Sequence, residues 1–247
     1  RDPYVASLKA KVFSINSSIN IVDISHDVDK YDIQQASFIF NRVYREFPKG
    51  TVHLLGVEQA YTKCDYVIVR TKDFFFVAPN NGLLSLLEGF EPLQIAQVNK
   101  IDRDSFVLKN ELIEIVCGLA EGIEMLKYGV EIDVLKKIFA QEIRLTSNQI
   151  VGTVVFVDSY GNLLTNIHRD IIEVTGAGRL IEIKVGREYL TKISQDYKEE
   201  KEACCIALYN NNGYLEIAMT AANASKLLGV KYDSIITVSF KQKQSLP

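Results

Sequence analysis

Residues 141–150, QEIRLTSNQI, decide how this chain is divided. Ser147, Asn148 and the polar residues around them interrupt the apolar periodicity, and the texture of the sequence differs on the two sides of the break. Upstream, helical and strand patterns alternate. Residues 4–17, YVASLKAKVFSINS, place Val5, Leu8, Val12 and Ile15 at helical spacing, and residues 21–24 follow as a short, largely apolar run that reads as a strand. Asp32 opens a second helical pattern through Ile33, Ala36, Phe38, Ile39 and Val43, which Phe47-Pro48-Lys49-Gly50 stops. Residues 51–57, TVHLLGV, have the composition of a buried strand, and residues 66–70 and 74–78 are two more, rich in β-branched and aromatic side chains. Pro79-Asn80-Asn81-Gly82 then turns the chain into an apolar segment, residues 83–87. Residues 111–128 carry Leu112, Ile115, Val116, Leu119 and Met125 on one helical face, with Gly129 placed as a C-cap.

Downstream of the break the pattern becomes short strands separated by turns. Residues 151–157, 181–185, 206–209, 214–219 and 235–240 read as strands, with one helical stretch over 221–228. Alternating helix and strand predicts an α/β N-terminal domain over residues 1–145, a central sheet flanked by helices. The strand-and-turn half predicts a smaller β-barrel-like or sandwich C-terminal domain over residues 150–247.

Composition narrows the partners. The chain has 247 residues, is 47% hydrophobic and 24% charged, and carries a net charge of −3 with no basic block, so nucleic acid and anionic membrane surfaces are not expected partners. No stretch approaches the roughly 18 uninterrupted apolar residues of a spanning helix. The opening residues, RDPYVASLKAKVF, have no signal-peptide pattern, which predicts a cytoplasmic protein. Arg1 is not an initiating Met and Asp2-Pro3 leads straight into a helical pattern, so a further segment is expected upstream. Cys64, Cys117, Cys204 and Cys205 show no CxxC spacing and are expected to be buried thiols rather than a disulfide framework or a metal site. With only three histidines, well separated, a histidine-rich metal site is not expected either.

Three segments could carry chemistry. The first runs from Val157 through Asp158-Ser159-Tyr160-Gly161-Asn162 to Ile167, a strand entering a tight turn that offers a carboxylate, an aromatic face and an amide within five residues. Asp158 could hold an ammonium group, Tyr160 could stack on a base, and Asn162 could read a purine edge. The same residues equally suit an Asx-type turn that only joins two strands. The second is Ile24-Ser25-His26-Asp27-Val28 followed by Tyr31-Asp32-Ile33, at a strand-to-helix junction where α/β folds place ligand groups. Here a structural histidine and an N-capping Asp32 explain the residues as well. The third is the strand end at Phe76-Val77-Ala78-Pro79-Asn80-Asn81-Gly82, where the paired Asn80 and Asn81 could aim backbone groups at a ligand or could simply suit a turn that needs left-handed backbone. None of the common nucleophile, zinc, phosphate-loop or dinucleotide motifs is present.

Seven segments in order resemble one family: DPYV at Asp2, IVDISHDV at Ile21, YDIQQAS at Tyr31, GTVHL at Gly50, FVAPNNGLLS at Phe76, VDSYGNLLTNI at Val157 and GYLEIA at Gly213. The chain is similar over nearly its whole length to the S-adenosylmethionine hydroxide adenosyltransferases, relatives of the S-adenosylmethionine-dependent fluorinase and chlorinase. The resemblance implies an N-terminal α/β domain with a mixed sheet, a smaller β-barrel-like C-terminal domain, and a homotrimer. Its ligand would lie between one subunit's N-terminal domain and a neighbour's C-terminal domain. It further implies hydrolysis of S-adenosylmethionine to adenosine and methionine by attack of water on C5′, without a metal or other cofactor. By motif, Asp158 would pair with the methionine ammonium, Tyr160 would stack on adenine, and Asn162 would read its edge. The loop around Tyr31 would cover the ribose, Phe106 would line the pocket, and Asn80 would belong to the binding residues.

The chain also departs from the family pattern. The family's DPGVG segment is replaced by Val57-Glu58-Gln59-Ala60-Tyr61, and the expected arginine pair falls at Cys64-Asp65, leaving Lys63 as the nearest cation. Glu58 and Lys63 are therefore the expected activating groups, although Lys lacks the bidentate geometry of Arg. Val107, in Ser105-Phe106-Val107-Leu108-Lys109-Asn110, stands where the family has a histidine and cannot move a proton. That substitution supports a second expectation, a catalytically degenerate paralogue that only binds an adenosyl ligand; halide transfer on the same scaffold is a third. The family's TTDFG loop, which clamps the ribose, would precede Asp2.

Overall fold

The computed structural model describes residues 3–57, 64–99, 108–139 and 142–242. The chain forms two compact units, residues 1–139 and 140–247.

The first unit is a sheet covered on both faces. Its strands are β1 (Val52–Leu54), β2 (Tyr66–Arg70), β3 (Phe75–Pro79), β4 (Gln94–Val98) and β5 (Gly129–Glu131), in the order β1-β3-β2-β4-β5. β1 lies parallel to β3 and the other neighbours are antiparallel, so the sheet is mixed. Side chains alternate between two cores. Val67, Val69, Phe76 and Ala78 join Ile33, Ala36 and Phe40 of helix α2 (Ile33–Asn41). Tyr66, Ile68, Val77 and Ala96 meet Leu112 and the buried face of helix α3 (Ile113–Ala120), Ile115 and Leu119. Burial on both faces is why the strands read as continuous apolar runs rather than as alternations. Helix α1 (Tyr4–Ile15) packs Val12 on Ile113 and Cys117. α2 begins where the Asp32 carboxylate accepts the Gln35 backbone N–H at 2.8 Å.

Two features of this unit correct the sequence reading. Residues 21–24 form no strand: Ile21 and Ile24 pack partly buried onto separate apolar clusters while Val22 faces solvent, and the run has no ladder partner among the described residues. The long helix expected over 111–128 is only α3, preceded by a π turn at Leu108–Leu112. Gly122 ends it in the left-handed region at φ 87°, donating its N–H to the Leu119 carbonyl. Gly129 is no C-cap: it opens β5, where a Cβ would lie 2.3 Å from the Gln97 carbonyl oxygen, a contact only glycine permits.

In the second unit every pair of named strands is antiparallel. It contains β6 (Arg144–Leu145), β7 (Gln149–Val157), β8 (Leu163–His168), β9 (Leu180–Val185), β10 (Glu188–Leu190), β11 (Cys205–Tyr209), β12 (Tyr214–Met219) and β13 (Ile235–Lys241). The order is β10-β9-β13-β7-β8-β12-β11, with β6 paired to β7. Beyond β10, the Ser194 N–H donates to the Ala207 carbonyl of β11 at 2.7 Å, drawing the two ends of the sheet into a nearly closed barrel. Ile150, Val154, Leu163, Ile167, Ile183, Leu215, Ile217, Ile236 and Val238 fill its interior. Register shifts between Val154 and Phe156 and between Tyr214 and Glu216 bend the strands that flank β8. A helix α4 (Arg169–Gly176) follows β8, unanticipated because little of its surface beyond Ile172 is apolar and buried. The final helix α5 is shorter than expected, Ala224–Leu228, because Asn223 is its N-cap and accepts the Lys226 N–H at 2.8 Å. The four cysteines remain thiols; Cys117 is buried, whereas Cys64, Cys204 and Cys205 are only half-buried.

His53, on β1, sits in an aromatic cage with ring centroids at 5.1 Å (Phe40), 5.4 Å (Phe47), 5.3 Å (Phe74) and 5.3 Å (Phe76). It is 4% exposed and its Nε2 has no hydrogen-bond partner. Desolvation pushes its pKa down from 6.5 to about 4. The unfolded chain therefore binds one more proton than the folded chain between those values, and stability falls as pH is lowered through that window. The expected slope is about 1.4 kcal/mol per pH unit. Urea unfolding between pH 7 and 4.5 should show it in the wild type and show a shallower slope in His53→Phe, whatever that variant's absolute stability.

Candidate functional site

The turn over residues 158–162 joins β7 to β8, whose register pairs Val157 with Leu163. One carboxylate organises it. Asp158 Oδ1 accepts the backbone N–H groups of Tyr160 and Asn162, each at 2.9 Å, and Asn162 Nδ2 donates to Asp158 Oδ2 at 3.0 Å. The backbone closes in parallel: Gly161 N–H donates to the Asp158 carbonyl at 3.0 Å, and Asp158 N–H to the Asn162 carbonyl at 3.1 Å. The Asx-type turn allowed by the sequence is thus present. It does not exhaust the residues. Oδ2 takes one donor and keeps lone-pair capacity, Asn162 Oδ1 remains an acceptor, and no cation pairs with Asp158 among the described residues. Asn162 is 9% exposed, whereas the Tyr160 side chain is 78% exposed, so the turn holds an aromatic face in solvent above a seated carboxylate and amide.

In the first unit, Tyr31 lies just before α2 with φ 67°, a left-handed backbone uncommon for an aromatic residue, and is 57% exposed. Its loop is fixed by Asp32 N–H on the Asp29 carbonyl at 3.1 Å, and by the Gln35 side chain, which accepts from Asp29 N–H and donates to Asp29 Oδ2. Asn80, after β3, ties that strand end to a distant segment: its Oδ1 accepts the Lys136 N–H at 2.9 Å. The fully buried Asn81 beside it donates to the Val57 carbonyl at 2.8 Å and accepts from Leu83 N–H. His26 is engaged with Asp23, whose other oxygen meets Lys9. Lys9 first and His26 second hold the Asp23 carboxyl below its usual range. This surface trio ties α1 to the chain that follows, the structural alternative for His26.

Glu58, Lys63, Phe106 and Val107 lie outside the described residues. Among the described residues, no group of His, Cys, Asp and Glu is arranged to hold a metal ion, and no helix is long and apolar enough to cross a membrane. The sequence reading overlooked Asn223. It lies far along the chain from the turn, but the pairing of Ile217 with Leu163 carries the end of β12 alongside the start of β8. Its cap position before a short apolar helix was the available signal.

The two domains have relatives. The SAM hydroxide adenosyltransferase N-terminal domain matches residues 1–129, and the C-terminal domain of the same family matches residues 152–237. The chain is 28% identical over 244 residues to an (R)-S-adenosyl-L-methionine hydrolase of Methanocaldococcus jannaschii, covering 93% of this chain and 88% of that one. It is 23% identical over 278 residues to a fluorinase of Actinopolyspora mzabensis, covering 96% and 93%. Among solved structures, an uncharacterized conserved protein from Thermotoga maritima superposes with a TM-score of 0.85 at 25% identity, covering 97% of this chain and 96% of that one. Matched by both of the family's domains and by relatives along almost its full length, the chain belongs to the SAM hydroxide adenosyltransferase family.

Proposed function

We propose that the protein hydrolyses S-adenosylmethionine to adenosine and methionine. The observation that carries this reading is the turn over residues 158–162, in a chain whose family is defined by that chemistry: an exposed tyrosine ring beside a carboxylate and an amide already oriented by the backbone. In the reaction a water oxygen bonds to C5′, the C5′–S bond breaks, and its electron pair leaves on sulfur as the methionine thioether. The proton from water passes to a base. A sulfonium is a good leaving group, so the protein's tasks are to orient the reactants, exclude bulk water and accept that proton. No metal or cofactor is required by such a step.

The residues divide the work. Asp158 Oδ2 pairs with the methionine ammonium, the Tyr160 ring stacks on adenine, and Asn162 Oδ1 accepts from the adenine amine. Tyr31 covers the ribose, and Asn80 and Phe106 line the pocket. Glu58 accepts the proton and Lys63 supplies the nearby positive charge. The pocket forms between subunits of a homotrimer. A cytoplasmic setting fits cysteines that remain thiols. The substitution at Val107 is the argument for a chain that binds without turnover, and the naming of a 28% identical relative as a hydrolase favours catalysis.

Incubation with S-adenosylmethionine should yield adenosine and methionine in equal amounts by chromatography, and Glu58→Gln should lower the rate by about a hundredfold or more. Saturable binding with no adenosine released would replace the enzyme with an adenosyl-binding protein. Asp158→Asn removes the charge and keeps the oxygen that accepts the turn's two backbone N–H groups, while its amide nitrogen gives up the bond from Asn162 Nδ2. It should weaken S-adenosylmethionine binding about tenfold more than it weakens the binding of adenosine, which has no ammonium. Equal losses for both ligands would remove the ammonium from the assignment. Light scattering should find a trimer, and ligand affinity should rise with protein concentration across the assembly range; tight binding by an isolated monomer would contradict the shared pocket.

A further inference from the structure

We propose that Asn223 is the positioning residue of the adenosyl-binding turn, an inference that rests on the function proposed above. Gly161 stands at φ 88°, and a Cβ built on it would lie 2.1 Å from Asn223 Cγ, 2.2 Å from Nδ2 and 2.3 Å from Oδ1. The Asn223 carboxamide therefore fills the space a side chain at Gly161 would take, pressed flat against the turn between the two residues, Tyr160 and Asn162, assigned to adenine. A second tie holds the same corner. The Ser225 N–H donates to the Gly161 carbonyl at 2.9 Å, so the backbone that carries Asn223 is bonded to the backbone it supports.

Asn223 can do this because its own orientation is fixed. Its Oδ1 accepts the Lys226 N–H at 2.8 Å, its carbonyl accepts the Leu227 N–H at 3.1 Å, and Ser225 Oγ donates to the Val230 carbonyl at 2.7 Å. The carboxamide is a rigid plate rather than a flexible surface group. Asp158 holds the turn from within; Asn223 sets where it lies from outside. Gly161 is required by the second contact as much as by its left-handed backbone. Loss of the plate removes the outer support of the Asp158 hydrogen bonds, so the turn opens more often, a change that exposes the Tyr160, Gly161 and Asn162 amides and reaches the ligand through Tyr160 and Asn162. Asn223 touches no reacting atom in this scheme.

Two substitutions separate the plate from the helix cap. Asn223→Ser keeps a good N-cap and removes the planar group; Asn223→Asp keeps both. In Asn223→Ser, amide hydrogen exchange at Tyr160, Gly161 and Asn162 should quicken about tenfold while the thermal midpoint stays within a few degrees of wild type. KM for S-adenosylmethionine should rise about tenfold with kcat within about twofold. Asn223→Asp should restore both readouts. Unchanged exchange at the turn in a folded Asn223→Ser protein overturns the inference, as does a fall in kcat without a change in KM. A wild-type protein that neither binds adenosine nor turns over S-adenosylmethionine sinks the functional reading itself, and the exchange experiment, which needs no ligand, tells that failure apart from a failure of the contact.

Discussion

The Asp158 carboxylate is the interaction on which the C-terminal half's candidate site depends. Two backbone N–H groups converge on one oxygen and an amide N–H meets the other, and hydrogen bonds to an ionised group contribute about 1.5–3 kcal/mol each. With those bonds in place, the five-residue connection is a small rigid platform at the end of a barrel strand. Such a platform holds Tyr160 78% exposed, its aromatic face open to solvent. The structural role and the binding role of the turn are therefore compatible: the first oxygen builds the corner, and the second, with Asn162, has capacity left over.

Each unit of the molecule gains rigidity by different means. In the first unit a mixed sheet is buried on both faces, with Val67, Ile68, Val69, Phe76, Val77 and Ala78 all inaccessible to water. Loops at its strand ends, such as Asn80–Asn81 after β3, are tied down by side-chain amides rather than by packing. The strained Tyr31 is held by the Asp29–Gln35 pair and the Asp32 cap. In the second unit the barrel closes on itself through Ser194 and Ala207, and strand register, not sequence proximity, brings Asn223 to Gly161. A site built on strand ends in this way inherits the precision of the sheet.

Much of this was legible in the residues. Tyr214–Met219 stood out as a strand because its apolar side chains and its Gly213 start match one, and the Asp158-to-Asn162 turn announced itself through Asx chemistry. What misled were positions decided by tertiary contacts. Ile21 and Ile24 pack onto separate clusters without strand pairing, Gly122 stops α3 where periodicity alone continues to Tyr128, and Gly129 serves a close strand approach. Asn223 was invisible as a neighbour of the turn because nothing in the sequence states the β8–β12 register. For Glu58, Lys63 and Phe106 the sequence remains the basis of assignment, since they lie outside the described residues.

The central claim is that the corner formed by Asp158, Tyr160 and Asn162 grips an adenosine-bearing molecule. A crystal structure of the protein grown with adenosine tests it most directly. The account predicts the purine lying against the Tyr160 ring with Asn162 at its edge, and the Asp158 hydrogen bonds to the turn unchanged. Adenosine bound elsewhere, with Tyr160 still facing solvent, would contradict it.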